Sequence, residues 1–338
     1  MRRLTLILSD LYVPSEAAGS RTQPVALDLP NLDGLLRFAG RADGIRDWRH
    51  WLAAEVGRSD LARLSLAHAC ATVLLPGSAA ANAWLATPVH LEARIDHVRL
   101  ADRGLLRLGA EEREAWRQDF ARAFGPDYAL HDAGERGFLL SGAAASHVAS
   151  ADPSRLLDAD IGRALPTGPS AGELRRLGTE IEMWLHSAPR NVARDQRRER
   201  RISALWLWGG GSPDAGSVAI TSTQVAKSAA VRVFGGDPFL RAITGSPMDA
   251  PPASWDQLCA IEGHCVVELA PMSGRKDESL AALDANWFAP AREALRKREI
   301  DHVDLVANDR CFRIAASSGW RWWRRRMPWL ARLSRPVL

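Results

Sequence analysis

Hydrophobic and polar positions along this chain follow both strand and helix periods. The apolar run 4–8 predicts a buried first strand, and the alternating residues 84–100 predict a second extended segment. Apolar side chains three and four positions apart predict amphipathic helices within residues 32–39 and 48–56, and residues 128–140 predict a β-hairpin. Strands that alternate with helices in this way predict an α/β fold.

The most informative segment is a helix, a basic connection and an apolar strand in succession. The amphipathic pattern of residues 172–187 predicts the helix. The apolar run at residues 202–208 predicts a buried strand, which is followed by Gly209, Gly210 and Gly211. Glycine at the end of a buried strand lets a ligand approach the backbone closely, so we expect a ligand site here.

Four polar residues are candidates to line that site. Asn191 and Arg194 lie in the basic connection, and a guanidinium suits phosphate because it offers parallel donors; a solvated basic turn is an equally good interpretation. His90 and Arg94 share one face of the extended segment, where they would bind phosphate or a carboxylate. The polar outer face of a half-buried strand is the favoured alternative for this pair.

Composition and charge bound the class of protein. Hydrophobic residues make up 46% of the 338 residues and charged residues 25%, as in a globular protein. No apolar run approaches the ~20 residues of a membrane span, and Asp10 interrupts the first apolar run too early for a signal peptide. The four cysteines show no C-x-x-C spacing, so we expect reduced thiols and a cytoplasmic protein.

The basic charge of the chain is concentrated at its C-terminus. The last twenty residues carry six arginines, four tryptophans and no acid; without those arginines the net charge of +4 becomes −2. We expect residues 317–338 to form a Trp/Arg-rich helix that docks by its tryptophans. Contact of residues 319–338 with a membrane surface is the less favoured alternative, and no nucleic-acid partner is expected.

Several stretches together resemble a known family. Residues 180–211, Leu8–Pro14, Pro88–Leu91 and Asn286–Pro290, with the Trp320–Arg325 stretch, resemble the bacterial proteins described as cofactor-independent phosphoglycerate mutase-like, or regulatory proteins of the Rpf type. The resemblance implies an alkaline-phosphatase-like fold, in which helices flank a mostly parallel central sheet that carries an inserted smaller subdomain. On this basis residues 1–80 and 172–316 would form the core and residues 81–171 the insertion.

The resemblance also implies a chemistry. The wider superfamily transfers phosphoryl groups with two divalent metals and a Ser or Thr nucleophile, and Asp10 falls where its first metal carboxylate is placed. Asp127 and His131 match the Asp-x-x-x-His element of that ligand series. The Asp-His element is matched by residues 301–302, after which no histidine follows, and by residues 96–97, which come too early in the chain.

No complete ordered ligand set therefore exists, and no nucleophile is identified. We predict a degenerate relative, a pseudoenzyme that binds a phosphorylated metabolite or another anion in a regulatory role and needs no cofactor. The first alternative is an active 2,3-bisphosphoglycerate-independent phosphoglycerate mutase or related phosphotransferase, with Mn, Mg or Zn held by Asp10, Asp127 and His131. The second is a partner- or membrane-binding protein that acts through its Trp/Arg-rich tail.

Overall fold

The computed structural model describes residues 2–12, 27–40, 43–75, 82–143, 145, 147–211, 231–245, 252, 255–272, 279–320 and 327–334. The chain forms two compact units of mixed α/β structure. The first comprises Met1–Arg58, Val225–Gly235 and Met248–Leu338, and the second comprises Ser59–Gln224 and Gly236–Pro247.

The strands and helices are numbered in chain order. The strands are β1 (Arg3–Leu8), β2 (Asp43–Gly44), β3 (Ala83–Ala93), β4 (Val98–Leu105), β5 (Ala129–Asp132), β6 (Phe138–Ser141), β7 (Ala204–Trp208), β8 (Val231–Phe234), β9 (His264–Leu269), β10 (His302–Ala307) and β11 (Arg310–Ala315). The helices are α1 (Pro30–Phe38), α2 (Trp48–Glu55), α3 (Leu66–Leu74), α4 (Ala110–Phe124), α5 (Ala171–Ser187), α6 (Pro189–Gln196), α7 (Pro238–Thr244), α8 (Trp255–Cys259), α9 (Leu280–Leu283), α10 (Ala289–Lys297) and α11 (Trp329–Ser334). A π-helical turn, Asp284–Phe288, joins α9 to α10.

The sheet of the first unit has the strand order β2-β11-β10-β1-β9-β8. Strand β1 runs parallel to β10 and β9, and β9 runs parallel to β8. Strand β11 is antiparallel to β10 and to the short β2. The carboxyl ends of four parallel strands therefore meet at one edge of this sheet.

The two faces of this sheet differ in polarity because side chains alternate along each strand. On β1, Leu4, Leu6 and Leu8 belong to the apolar core that is shared with α1 and α10. The opposite face of β1 carries Arg3 and Thr5. One side of the sheet is thus a hydrophobic core, and the other carries the buried polar side chains of Thr5, Asp304 and Glu268.

The described part of the C-terminal segment packs against the first unit. The Trp329 indole donates to the carbonyl of Leu27 at 2.9 Å, and the Leu333 carbonyl accepts from the Asn308 amide at 2.7 Å. Trp329 and Leu333 are both buried in the core. The tail's arginine cluster at 321–326 lies outside the described residues, so contact of the tail with a partner or a membrane stays a prediction.

The second unit holds a five-stranded sheet in the order β4-β3-β6-β5, with β7 also paired to β3. Every pairing described in it is antiparallel. The hairpin predicted within residues 128–140 is present as β5 and β6. No described helix in the chain is long and apolar enough to cross a membrane.

Strand β7 lies in a different sheet from the one that the resemblance implied. It was expected in the mostly parallel central sheet, and it pairs antiparallel with β3 instead. The reason is packing, because Leu205 and Leu207 of β7 share an apolar core with α5. Residues 172–211 therefore belong to the second unit together with β3–β6, whereas the expected division placed them in the core with residues 1–80.

Candidate functional site

Three polar side chains are buried at the carboxyl ends of β1 and β9. Ser9, Asp10 and Glu268 have exposed fractions of 0%, 1% and 5%. The Ser9 hydroxyl donates to a carboxylate oxygen of Glu268 and lies 3.2 Å from the carbonyl oxygen of Leu269. The Asp10 carboxylate accepts from the backbone N–H of Met272 at 3.2 Å. In open α/β sheets, the carboxyl ends of parallel strands are where ligands bind.

The strand register explains why Ser9 and Glu268 meet. Ile7 is paired with Glu268 and Leu8 with Leu269, and the Ser9 N–H extends the ladder by donating to the Leu269 carbonyl at 2.9 Å. Side chains two residues apart share a face, so Ser9 lies on the same face as Glu268. The position of this pair therefore follows from the parallel register of β1 and β9.

The donor set of this site suits a hard cation. Two carboxylates and a hydroxyl are the oxygen ligands that Mg²⁺, Mn²⁺ and Ca²⁺ prefer. A pair of cations about 4 Å apart needs roughly six or more ligands. Among the residues that the structure describes, no group of three or more His, Cys, Asp or Glu side chains could hold a metal. Among the described residues, Ser9, Asp10 and Glu268 are therefore too few oxygen donors for two cations.

The Asp-His match at residues 301–302 lies at the opposite end of the same sheet. His302 is paired with Arg3 at the start of β1, and the Asp301 carboxylate accepts from the backbone N–H of Arg2 at 2.8 Å. The six residues of β1 separate this position from Asp10 by roughly 20 Å. Asp301 and His302 therefore cannot share a cation with Asp10.

The second Asp-His match, at residues 96–97, is a local surface pair. The His97 ring nitrogen Nδ1 lies 2.6 Å from the Asp96 carboxylate in the turn between β3 and β4. This hydrogen bond lowers the pKa of Asp96, whose side chain is 83% exposed. A hydrogen bond between neighbouring residues accounts for the two side chains without a metal.

The other predicted metal ligands lie in the second unit. Asp127 is exposed just before β5. His131 lies on β5 with its Nε2 atom 2.9 Å from the Ser141 hydroxyl, and burial, helped by Arg117, lowers the pKa of His131. The described residues offer no third ligand to join them. A metal on Asp127 and His131 stays a prediction.

Asn191 joins three elements of the second unit. Its amide nitrogen donates to the carbonyl oxygens of Leu185 and Ile202 at 2.8 and 2.9 Å, and its side-chain oxygen accepts from the Ile202 N–H at 2.9 Å. The side chain is 1% exposed. These bonds tie the end of α5 and the start of α6 to the residues that enter β7.

Arg194 is held by its own chain in a similar way. Its Nε atom donates to the Arg200 carbonyl at 2.7 Å, and its Nη1 atom donates to the Glu112 carboxylate. Only 7% of the side chain is exposed. The guanidinium that we expected to face an anion therefore already faces a carboxylate of α4.

The three glycines after β7 allow close packing within the second unit. A Cβ atom on Gly210 would lie 2.4 Å from the carbonyl oxygen of Ala83 and 2.5 Å from the Trp84 ring. Gly209 and Gly211 have φ angles of +65° and +97°, which favour glycine. The sequence correctly indicates a close approach to this backbone, and the structure shows that β3 makes it.

His90 and Arg94 also have partners within the chain. The His90 Nδ1 atom lies 2.9 Å from the Arg201 carbonyl oxygen, and the Arg94 guanidinium donates to Glu92 at 2.9 Å. Both contacts are consistent with the favoured interpretation, in which His90 and Arg94 lie on the polar outer face of a half-buried strand. Their role in ligand binding, like that of Asn191, Arg194 and the glycines, stays a prediction.

Sequence reasoning missed Glu268 and its partner Ser9 as members of one site. The sequence does contain one indication of this site, which is the acid Glu268 within the otherwise apolar run 264–269. A carboxylate that is buried in such a strand needs a specific partner. Ser9 directly precedes Asp10 in the sequence, but it belongs to no recognised motif. Only the parallel register of β1 and β9 brings the two residues together.

Comparisons with known proteins found similar solved structures, two of which are described below. The structure is similar to that of the PH0037 protein from Pyrococcus horikoshii, at 12% identity and a TM-score of 0.45, over 92% of this chain and 84% of that chain. It is also similar to the cofactor-independent phosphoglycerate mutase from Thermoplasma acidophilum DSM 1728, at 16% identity and a TM-score of 0.37, over 93% and 89% of the two chains. No family model and no curated protein matches the chain.

Proposed function

We propose that this chain is a non-catalytic phosphoglycerate-mutase-like protein that binds a small phosphorylated metabolite in a regulatory role. The observation that carries the proposal is the buried group of Ser9, Asp10 and Glu268 at the carboxyl ends of β1 and β9. Polar groups are costly to bury, so their concentration at the usual ligand-binding edge of an α/β sheet supports a binding role.

The charge of this group determines how a phosphate would bind. Asp10 and Glu268 are acidic, so we propose that a phosphorylated ligand would bind together with a divalent cation, although the sequence alone led us to expect no cofactor. Asp10 and Glu268 would hold that cation, and the Ser9 hydroxyl would supply a neutral oxygen. The cation would neutralise the carboxylates and polarise the phosphate.

The same donor set supports binding without turnover. Phosphoryl transfer by two metals needs a second set of ligands, and the sequence motifs that would supply it lie elsewhere. Asp301 and His302 are at the amino end of the sheet, and residues 96–97 form a surface pair in the second unit. One cation can retain a phosphorylated ligand while the reaction that needs two cations does not proceed.

A thermal-shift titration tests this proposal. We expect 3-phosphoglycerate or phosphoenolpyruvate to raise the Tm in the presence of Mn²⁺ and to have no such effect in a chelator. The variants Asp10→Asn and Glu268→Gln should lose the shift. Asp301→Asn, which removes a carboxylate from the other end of the sheet, should keep it. No shift with any phosphorylated compound in Mn²⁺ would contradict the proposal.

An active phosphotransferase is the second candidate, and the hydrogen bond between Ser9 and Glu268 favours it. A hydroxyl next to a carboxylate is the arrangement of a nucleophile and its general base. Ser9 is fully buried, however, so a substrate would need a rearrangement to reach it. Mutase turnover in Mn²⁺ that is lost in Ser9→Ala, together with stoichiometric bound metal, would support the enzyme and exclude the non-catalytic role.

A further inference from the structure

The polar face of the first unit's sheet carries a second charged cluster, at the amino ends of its strands. Arg3 of β1 and Arg313 of β11 lie on either side of Asp304 of β10. The Asp304 side chain is 0% exposed, and its two carboxylate oxygens accept from Arg3 Nε at 2.8 Å and from Arg313 Nε at 3.0 Å. One buried carboxylate thus fixes two guanidiniums side by side.

The outer nitrogens of both guanidiniums face a single oxygen atom. Glu55, the last residue of α2, places its Oε1 atom 2.5 Å from Arg3 Nη2 and 3.6 Å from Arg313 Nη2. The Glu55 side chain is 27% exposed and that of Arg313 is 53% exposed, so this side of the cluster faces solvent. Two guanidiniums directed at one carboxylate oxygen offer several N–H donors to an anion, and arginine is a common phosphate ligand because of these donors.

A phosphate dianion would interact more strongly with the two arginines than the Glu55 carboxylate does. Asp304 neutralises one of the two arginines, and the single charge of Glu55 neutralises the other. Glu55 makes both contacts through one oxygen, whereas a phosphate dianion offers several oxygens and more charge to the same donors. Burial opposes the charge of Arg3, but its hydrogen bonds to Glu55 and Asp304 raise its pKa overall. The hydrogen bond to Asp304 raises the pKa of Arg313.

Two imidazoles flank Arg3 on the same face. His264 of β9 and His302 of β10 are both paired in register with Arg3. The His264 Nε2 atom lies 2.9 Å from the Thr5 hydroxyl, whereas the buried Nδ1 atom of His302 has no hydrogen-bond partner among the residues that the structure describes. A buried polar atom that lacks a partner is costly, and an oxygen of a bound anion at this edge would supply one.

From this geometry we propose that Arg3 and Arg313, with His302 beside them, form an oxyanion site, and that the Glu55 carboxylate occupies it as an internal competitor. The ligand class is a multivalent oxyanion, which inorganic phosphate represents. The site is separate from the proposed cation-dependent site, since the length of β1, roughly 20 Å, lies between them. It needs no divalent cation because its donors are already positive.

Calorimetric titration with inorganic phosphate in a chelator tests the site on the full chain. Glu55→Gln removes the competing charge and keeps the side-chain volume, so it should bind phosphate about tenfold more tightly than the wild type. Adding Arg313→Gln to that variant should abolish binding. Glu293→Gln, which breaks an exposed ion pair with Arg296, is the matched control and should behave as the wild type.

Two outcomes would overturn the proposal. If Glu55→Gln binds phosphate no more tightly than the wild type, Glu55 is not a competitor. If binding persists after Arg313→Gln, the phosphate is an adventitious ion only. Circular dichroism confirms that each variant is folded, and Asp10→Asn should bind phosphate here normally, which separates this site from the cation-dependent one. Glycerol phosphate then establishes whether the site takes a phosphomonoester as well as the free ion.

Discussion

The two ends of β1 carry buried polar clusters of opposite character. At the carboxyl end, Asp10 and Glu268 are buried carboxylates, and Glu268 accepts a hydrogen bond from the neutral Ser9 hydroxyl. At the amino end, Arg3 and Arg313 balance Asp304 and Glu55. We propose that the charges at each end select its ligand. On this proposal the carboxyl end would bind a phosphate together with a cation, and the amino end would bind an anion only in place of Glu55.

The largest effect is expected from breaking the balance at the amino end. Asp304→Asn removes the buried carboxylate that both arginines share. Because Arg3 and Arg313 are 25% and 53% exposed, we expect a loss of about 3 kcal/mol, the lower end of the range for a buried pair. Urea denaturation measures the free energy of unfolding. Glu293→Gln, at an exposed pair, should leave it unchanged within error. If Asp304→Asn lowers the free energy of unfolding no more than Glu293→Gln does, the cluster is solvated like a surface ion pair.

A second prediction tests whether the buried polar residues of the second unit differ in kind from those at the ends of β1. Asn191→Ala leaves the Ile202 N–H and two carbonyl oxygens without their partner, which should cost about 2–3 kcal/mol. The same variant should keep any Mn²⁺-dependent binding of 3-phosphoglycerate. If it loses that binding at unchanged stability, Asn191 belongs to the ligand site as the sequence predicts.

The glycines of the second unit offer a sharper comparison because the chain contains a matched pair. Gly210→Ala places a methyl group against the Ala83 carbonyl and the Trp84 ring, and we expect a loss of about 1–3 kcal/mol from this overpacking. Gly178→Ala, in the interior of α5 with nothing within 4 Å, should gain about 0.5–1 kcal/mol. Both values come from denaturation curves. Tolerance of alanine at Gly210 would mean that its backbone faces open space.

The sequence predicts elements better than it predicts which elements meet. The β5–β6 hairpin and helix α5 follow from local patterns, because turn residues and helical periodicity are visible within one segment. The site formed by Ser9 and Glu268 depends on a parallel pairing between residues about 260 positions apart. Likewise, the apolar sequence of β7 predicts a buried strand but does not show which sheet contains it. Its packing against α5 places it in the antiparallel sheet of the second unit.

The smallest effect is a pH dependence at the amino end. Burial, with the nearby charge of Arg3, lowers the pKa of His264 from 6.5 to about 4. The unfolded chain therefore binds a proton between these values that the folded chain does not, so this residue makes stability fall as the pH drops from about 6.5 to about 4. His264→Gln removes the titrating group and should reduce that slope, as measured by denaturation at several pH values. An unchanged slope would mean that the imidazole is charged in the fold, and the charge balance around Arg3 would then favour an anion even with Glu55 in place.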